Sequence, residues 1–205
     1  MQIGIDFDNT IVSYDHVFAA EAKTKGLIPD DFNGTKTEIR DHIRTLEDGE
    51  TEWQRLQGRV YGSRMPEARL IDGVIDFLAG CRERGYPIFI VSHKTQFGQH
   101  DPDRVDLRET ALNWMESQAF FEDNGYGIER ENVVFEPTRQ QKVARIKTLG
   151  CSYFIDDLVE VFSETGFPDG IERYLFHPGP NAPKGPFKVF SSWYGISDDI
   201  FSRTG

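Results

Sequence analysis

The sequence predicts an α/β fold, a parallel sheet with crossover helices, interrupted by one inserted helical segment. Three observations lead there. Short apolar runs recur between turn signals, helical patterns separate them, and polar residues of chemically useful types stand where the runs end. Strands alternating with helices imply crossover connections and hence parallel pairing.

The runs are Gln2–Ile5, Pro87–Val91, Val133–Phe135, Tyr153–Ile155 and Arg173–Phe176. Each is short and rich in Ile, Val, Phe and Tyr, which suits strands buried on both faces. Between them, Val74, Phe77 and Leu78 set an apolar face at i, i+3, i+4, and Gly85 stands where that helix should stop. Leu107, Ala111, Leu112 and Trp114–Met115 mark a second helix; Val143, Ile146 and Leu149, closed by Gly150, mark a third. From about Tyr14 to Arg69 the alternation fails. His16–Lys25, Lys36–Leu46 and Glu50–Tyr61 read as helices, broken by IPDDFNG and LEDGE. A structureless loop of that length has no place in a compact domain. Residues 15–69 are therefore expected as a helical insertion, and 1–14 with 70–205 as the core. The stretch HPGPNAPKGP is expected to wrap the surface before a final short element, FKVFSSWYG.

Composition narrows the class. Apolar residues make up 38% of the 205 and charged residues 28%, as in a soluble globular protein with a sizeable core. With 23 basic against 34 acidic side chains the formal charge is −11. Such a field repels nucleic acid polymers and anionic membranes. It does not repel a phosphate ligand where a divalent cation inverts the local field. The start MQIGIDFD lacks the basic opening and apolar run of a secretory signal, and no segment approaches a membrane span. The expected location is cytoplasmic, with Cys81 and Cys151 as buried reduced thiols.

The chemistry lies at the run ends. Asp6 and Asp8 follow the first run in IDFDNT, and Ser92 follows the second in FIVSHKT. Lys142 opens the helix before the fourth run, and Asp156 and Asp157 end that run in FIDD. In a parallel sheet the carboxyl ends line one edge, where ligands bind, so these distant positions converge. Four carboxylates in one crevice repel each other unless a cation neutralises them. Oxygen-only ligands at an open edge favour Mg²⁺. An aspartate oxygen can then attack a phosphoryl group and form an aspartyl-phosphate. Lys142 and Ser92 would hold the phosphate oxygens, and backbone amides at Phe7–Asp8 and His93 would add donors. A lone Asp-x-Asp is more often a turn or a helix cap. Here an apolar run precedes it and three partners accompany it.

DFDNT resembles the DxDxT motif of the haloacid dehalogenase superfamily. Ser92, Lys142 and FIDD are similar to its second, third and fourth motifs in the same order, over Met1–Tyr14 and about Leu70–Phe176. The resemblance implies a Rossmann-like parallel core, a helical cap inserted between the first two motifs, and Mg²⁺-dependent phosphatase chemistry. It implies Asp6 as nucleophile and metal ligand. Asp8 becomes the general acid/base, which also offers its backbone carbonyl to the metal. Thr10 orders the motif, and Asp157, with Asp156 beside it, supplies the remaining metal carboxylates. Lys142 is preferred to Lys147 because it opens its helix. The fourth motif reads DDLVE, with Glu160, where the family has GDxxxD.

Dehalogenases of that superfamily lack the second aspartate, because a halide leaving group needs no proton. An alcohol does need one, so Asp8 points to phosphoester hydrolysis. Phosphate contacts are expected from Phe7, Thr10, Ser92, His93, Lys94 and Lys142. A cap excludes macromolecules, so the expected partner is a small phosphorylated molecule such as a sugar phosphate or nucleotide. Transfer of the phosphoryl group to another alcohol is the nearest rival. A receiver-like signalling module is disfavoured, since its acidic pair precedes its phosphorylated aspartate. Arg40, Arg44, Arg55, Arg59 and Arg64 of the insertion read first as surface charges, with an anionic substrate as the sharper alternative.

Overall fold

The structure is a computed structural model and describes residues 1–204. In chain order the elements are β1 (Ile3–Ile5), β2 (Val12–Ser13), α1 (Asp15–Thr24), α2 (Lys36–Ile43), α3 (Gly49–Tyr61) and β3 (Arg69–Leu70). Then come α4 (Val74–Glu83), β4 (Ile88–His93), α5 (Leu107–Ser117), β5 (Val133–Glu136), α6 (Arg139–Leu149) and β6 (Tyr153–Asp156). The chain closes with α7 (Val159–Phe162), β7 (Glu172–Phe176), β8 (Lys188–Phe190) and α8 (Trp193–Phe201). Among the described residues six strands form one sheet in the order β5-β4-β1-β6-β7-β8, every pair parallel. β2 and β3 pair separately as a short ribbon.

The chain resolves into two compact units. The first holds Met1–Val12, Leu70–Lys94 and the chain from Ala119 onward, and it contains the large sheet. β1 and β6 are wholly buried, as apolar strands at the centre of a two-faced sheet must be. Gly4 is required there: a Cβ would stand 2.5 Å from the Phe154 ring on the neighbouring strand. One cluster joins Val91, Val143, Ile146, Phe154, Phe162 and Leu175. A second packs Trp193 against Phe77 at 5.0 Å and Phe176 at 6.0 Å between ring centroids.

The second unit holds Ser13–Arg69 and Thr95–Gln118. The three expected helices of the insertion are α1, α2 and α3. Thr35 starts α2 with a full capping box, its hydroxyl on the Glu38 amide and the Glu38 carboxylate on its own amide. Phe18 stacks on Trp53 at 5.2 Å, and Tyr14 meets Tyr61 edge-on at 4.9 Å.

Two features depart from the sequence reading. The helix beginning at Leu107 was expected in the core, yet α5 and the loop before it cluster with the helical unit. Its buried face, Leu107, Ala111, Trp114 and Met115, packs on α3. The stretch after HPGPNAPKGP was expected as one final short element. It instead supplies β8, the sixth strand, and α8, whose Trp193, Ile196 and Ile200 are buried at helical spacing.

Cys81 and Cys151 are free and buried, and burial pushes their thiols up to about 12 and about 11. Because the thiolate is the reactive form, a disulfide reagent at pH 8 should leave both unmodified in the native protein. Unfolding should expose two thiols per chain; rapid native labelling would contradict this packing. No helix among the described residues is long and apolar enough to cross a membrane.

Candidate active site

β1 lies between β4 and β6, and Ile5 stands level with Ile90 and Ile155. From β1 the chain builds outward through β4 to β5, then returns to the other side of β1 as β6. Strand order therefore reverses beside β1, the position at whose carboxyl edge parallel sheets bind ligands. Asp6 leaves β1 at that point, its amide donating to the Ile155 carbonyl at 2.8 Å.

The loop after Asp6 is tightly wound. The Phe7 carbonyl accepts from Ile11 and Val12 at 3.0 and 3.2 Å, and the Phe7 ring is fully buried. Asn9 adopts φ +60°, a left-handed conformation that Asn tolerates better than most residues. Thr10 Oγ1 lies 3.5 Å from Asp6 and 3.4 Å from Asp157, linking the first and last acidic motifs.

Lys142 sits in the first turns of α6, whose start Thr138 caps. Its ammonium is buried and donates to Asp6 Oδ1 at 2.5 Å and Asp156 Oδ2 at 2.6 Å. The other oxygen of Asp156 accepts from the Leu158 amide at 2.9 Å. Burial works against the Lys142 charge, but Asp156 and Asp6 outweigh it and push its pKa up, so it stays protonated. For Asp6 burial dominates and raises the carboxyl to about 7; Lys142 opposes this, while Asp156 and Asp8 add to it. Two buried carboxylates thus face one buried ammonium. One oxygen each of Asp6, Asp156 and Asp157 lie within 4.8 Å of one another, an all-oxygen set that could hold a metal ion.

Lys94 is also buried, and its ammonium contacts Asp8 at 2.8 and 3.1 Å. Ser92 Oγ is buried without a hydrogen-bond partner among the described residues. A buried hydroxyl left so is costly.

The expected residues divide clearly. Asp6, Thr10, Lys142, Asp156 and Asp157 converge on one cluster, with Ser92 at the end of the adjacent strand. The Asp8 side chain lies outside the carboxylate trio and pairs with Lys94. Phe7 offers the site only backbone, since its ring is core. The His93 ring is turned to the Pro137 carbonyl at 3.1 Å, away from a phosphate role for its side chain. Lys147 and Glu160 are exposed. In the helical unit Arg40, Arg44 and Arg55 are tied to Asp41, Glu50 and Glu52, as surface charges would be, whereas Arg64 joins Glu67 to buried Glu21 and Arg59 stands 3.9 Å from Glu21.

Sequence reasoning missed Trp193. Its indole N–H donates to the Thr10 carbonyl at 2.9 Å from a wholly buried ring. Only the tryptophan at the start of a helical pattern hinted at it. Trp193→Phe keeps the ring and removes the bond. It should cost about 1 kcal/mol of stability and lower kcat several-fold, read by thermal unfolding and steady-state kinetics. Unchanged kcat would show that the motif loop needs no brace.

No protein-family model and no curated protein sequence matches the chain. Solved structures do. A haloacid dehalogenase-like hydrolase from Streptococcus pneumoniae superposes with a TM-score of 0.61 at 14% identity, covering 100% of this chain and 98% of that one. A HAD family hydrolase from Deinococcus radiodurans with bound phosphate and sodium gives 0.60 at 17% identity, covering 99% and 96%. The chain has the haloacid dehalogenase fold. A HAD phosphatase from Thermococcus onnurineus is similar at a TM-score of 0.53 and 13% identity, over 98% and 97% of the two chains. Within the haloacid dehalogenase fold of this chain, the four motif positions lie in the sheet-bearing unit.

Proposed function

We propose that this chain is a Mg²⁺-dependent phosphatase that hydrolyses a small phosphomonoester through an aspartyl-phosphate on Asp6. The observation that carries this reading is the setting of Asp6, which shares the buried Lys142 with Asp156 and stands in the carboxylate trio. The phosphate-bearing Deinococcus hydrolase and the Thermococcus phosphatase support it as analogies of fold.

The donor set suits Mg²⁺: carboxylates only, with Asp157 partly open to solvent. Asp6, Asp156 and Asp157 would hold the ion through side chains and Asp8 through its backbone carbonyl. When bound, Mg²⁺ neutralises these carboxylates and draws charge from the phosphoryl oxygens. Lys142 fixes one oxygen of Asp6, which orients the carboxylate for in-line attack on phosphorus. As the P–O bond to the substrate breaks, Asp8 gives the departing alkoxide a proton. Asp8 then takes a proton from water, which attacks the phosphorus and frees the Asp6 carboxylate and inorganic phosphate. The Lys142 ammonium and the Ser92 hydroxyl hold phosphoryl oxygens throughout. Insertion of Ser13–Arg69, the larger part of the helical unit, between the first two motifs supports a cap that admits small substrates.

An aryl phosphate and a panel of phosphorylated metabolites test this directly. Phosphate release should require Mg²⁺, cease with chelator and return with excess metal. No release from any member in Mg²⁺ would defeat the proposal.

A further inference from the structure

The helical unit contains a polar cavity, of about 390 Å³, which the proposed chemistry does not use. The turn after α1 supplies Lys25 and Leu27, α3 supplies Glu52, Arg55, Leu56 and Arg59, and the loop before α5 supplies His100. The volume matches that of small-molecule sites. Its charges are arranged unusually for a protein of net charge −11.

Glu21, buried on α1, is the hub. Its Oε2 is taken by Arg64 at 2.5 Å. Lys25 and Arg59 both approach Oε1, each at 3.9 Å, too far for a hydrogen bond. Each stands near a carboxylate without being satisfied by it. Arg55, by contrast, is closed on Glu52 at 2.5 Å. Because Lys25 and Arg59 lie equally near one oxygen, their donors are within bridging reach of a single oxyanion.

The loop that forms the remaining wall is built to hold its place. Gly98 packs on α3 so closely that a Cβ would stand 2.7 Å from the Gly58 Cα. Buried Asp101 accepts from the Asp103 and Val105 amides at 3.1 and 3.2 Å. Between these anchors His100 is set at φ +56°, a strained conformation that the surroundings must enforce. Leu27 and Leu56 give the cavity an apolar side.

We propose that this cavity is a binding site for a small oxyanion-bearing molecule, a phosphate or a carboxylate gripped by Lys25 and Arg59, with a less polar remainder against the two leucines. The grip follows ordinary guanidinium and ammonium recognition of oxyanions. The inference stands independently of the phosphatase reading.

The test uses the ¹⁵N-labelled full chain in EDTA, titrated separately with inorganic phosphate and with succinate. Saturable amide shifts are expected at Arg59, His100 and Asp101, weakening as salt rises. The tighter of the two probes identifies the head group. The Lys25→Gln/Arg59→Gln pair, both partly exposed side chains, should bind at least tenfold more weakly with an unchanged Tm. Shifts confined to the surroundings of Ser92 and Lys142 would overturn the proposal. So would a double variant that binds as tightly as the wild type.

Discussion

Asp6→Asn should abolish turnover, with a loss of kcat on the order of 10³ or more, while the fold becomes no less stable. An amide oxygen can still accept from Lys142, so the shape and the 2.5 Å contact are largely kept. The charge that the proposed attack on phosphorus needs is lost. The stability side follows from the proton balance. The Asp6 carboxyl is raised from 3.8 to about 7, chiefly by burial, against the pull of Lys142. Between those values the native protein binds more protons than the unfolded chain, so this residue costs stability as pH rises from about 4 to 7. Asparagine removes that cost. In metal-free buffer, the Tm advantage of the variant over wild type should therefore be larger at pH 8 than at pH 5. Retained turnover would disqualify Asp6 as nucleophile, and a large fall in Tm would make its role structural.

Lys142→Met should be the most destabilising change at the site. It leaves Asp6 and Asp156 buried together without their shared ammonium. Removing one member of a buried ion pair costs about 3–5 kcal/mol, which for a chain of this size lowers Tm by roughly 10 °C or more. The penalty has a pH signature. Protonating one stranded carboxyl relieves it, so the variant should lose least near pH 5 and most near pH 8. Asp156→Asn added to Lys142→Met should recover part of the loss, because one charge then leaves with its partner. A Lys142→Met protein as stable as wild type at pH 8 would mean that the ammonium is not the counter-charge of this pair. Its activity should be negligible at either pH.

Much of this architecture was legible in the chain. Runs such as Gln2–Ile5 and Tyr153–Ile155 are short, apolar and flanked by turn residues, and a parallel sheet sends their ends to one edge. Asp6 and Asp156 could be named for that reason, and Lys142 because it opens the helix before the fourth run. Other features depend on tertiary partners that periodicity does not carry. KVF is too short to declare itself a strand after a proline-rich stretch, yet β7 recruits it as an edge partner. Leu107 and Ala111 show an apolar face without saying whether sheet or helix covers it; α3 does. The Lys94–Asp8 pair joins residues 86 positions apart, and SHKT alone gives no sign that the lysine turns inward. His93, its neighbour, turns out to Pro137.

The bond from Trp193 to Thr10 spans 183 positions. It ties a loop made before α1 to a helix made after β8. Until α8 has emerged from the ribosome, the DFDNT loop lacks this brace, and before α6 emerges Asp6 lacks its lysine. In a growing chain the loop therefore stands without either bond until those segments have been made. Both contacts on this loop thus depend on segments made well after it, Lys142 at a separation of 136 residues from Asp6 and Trp193 at 183 from Thr10.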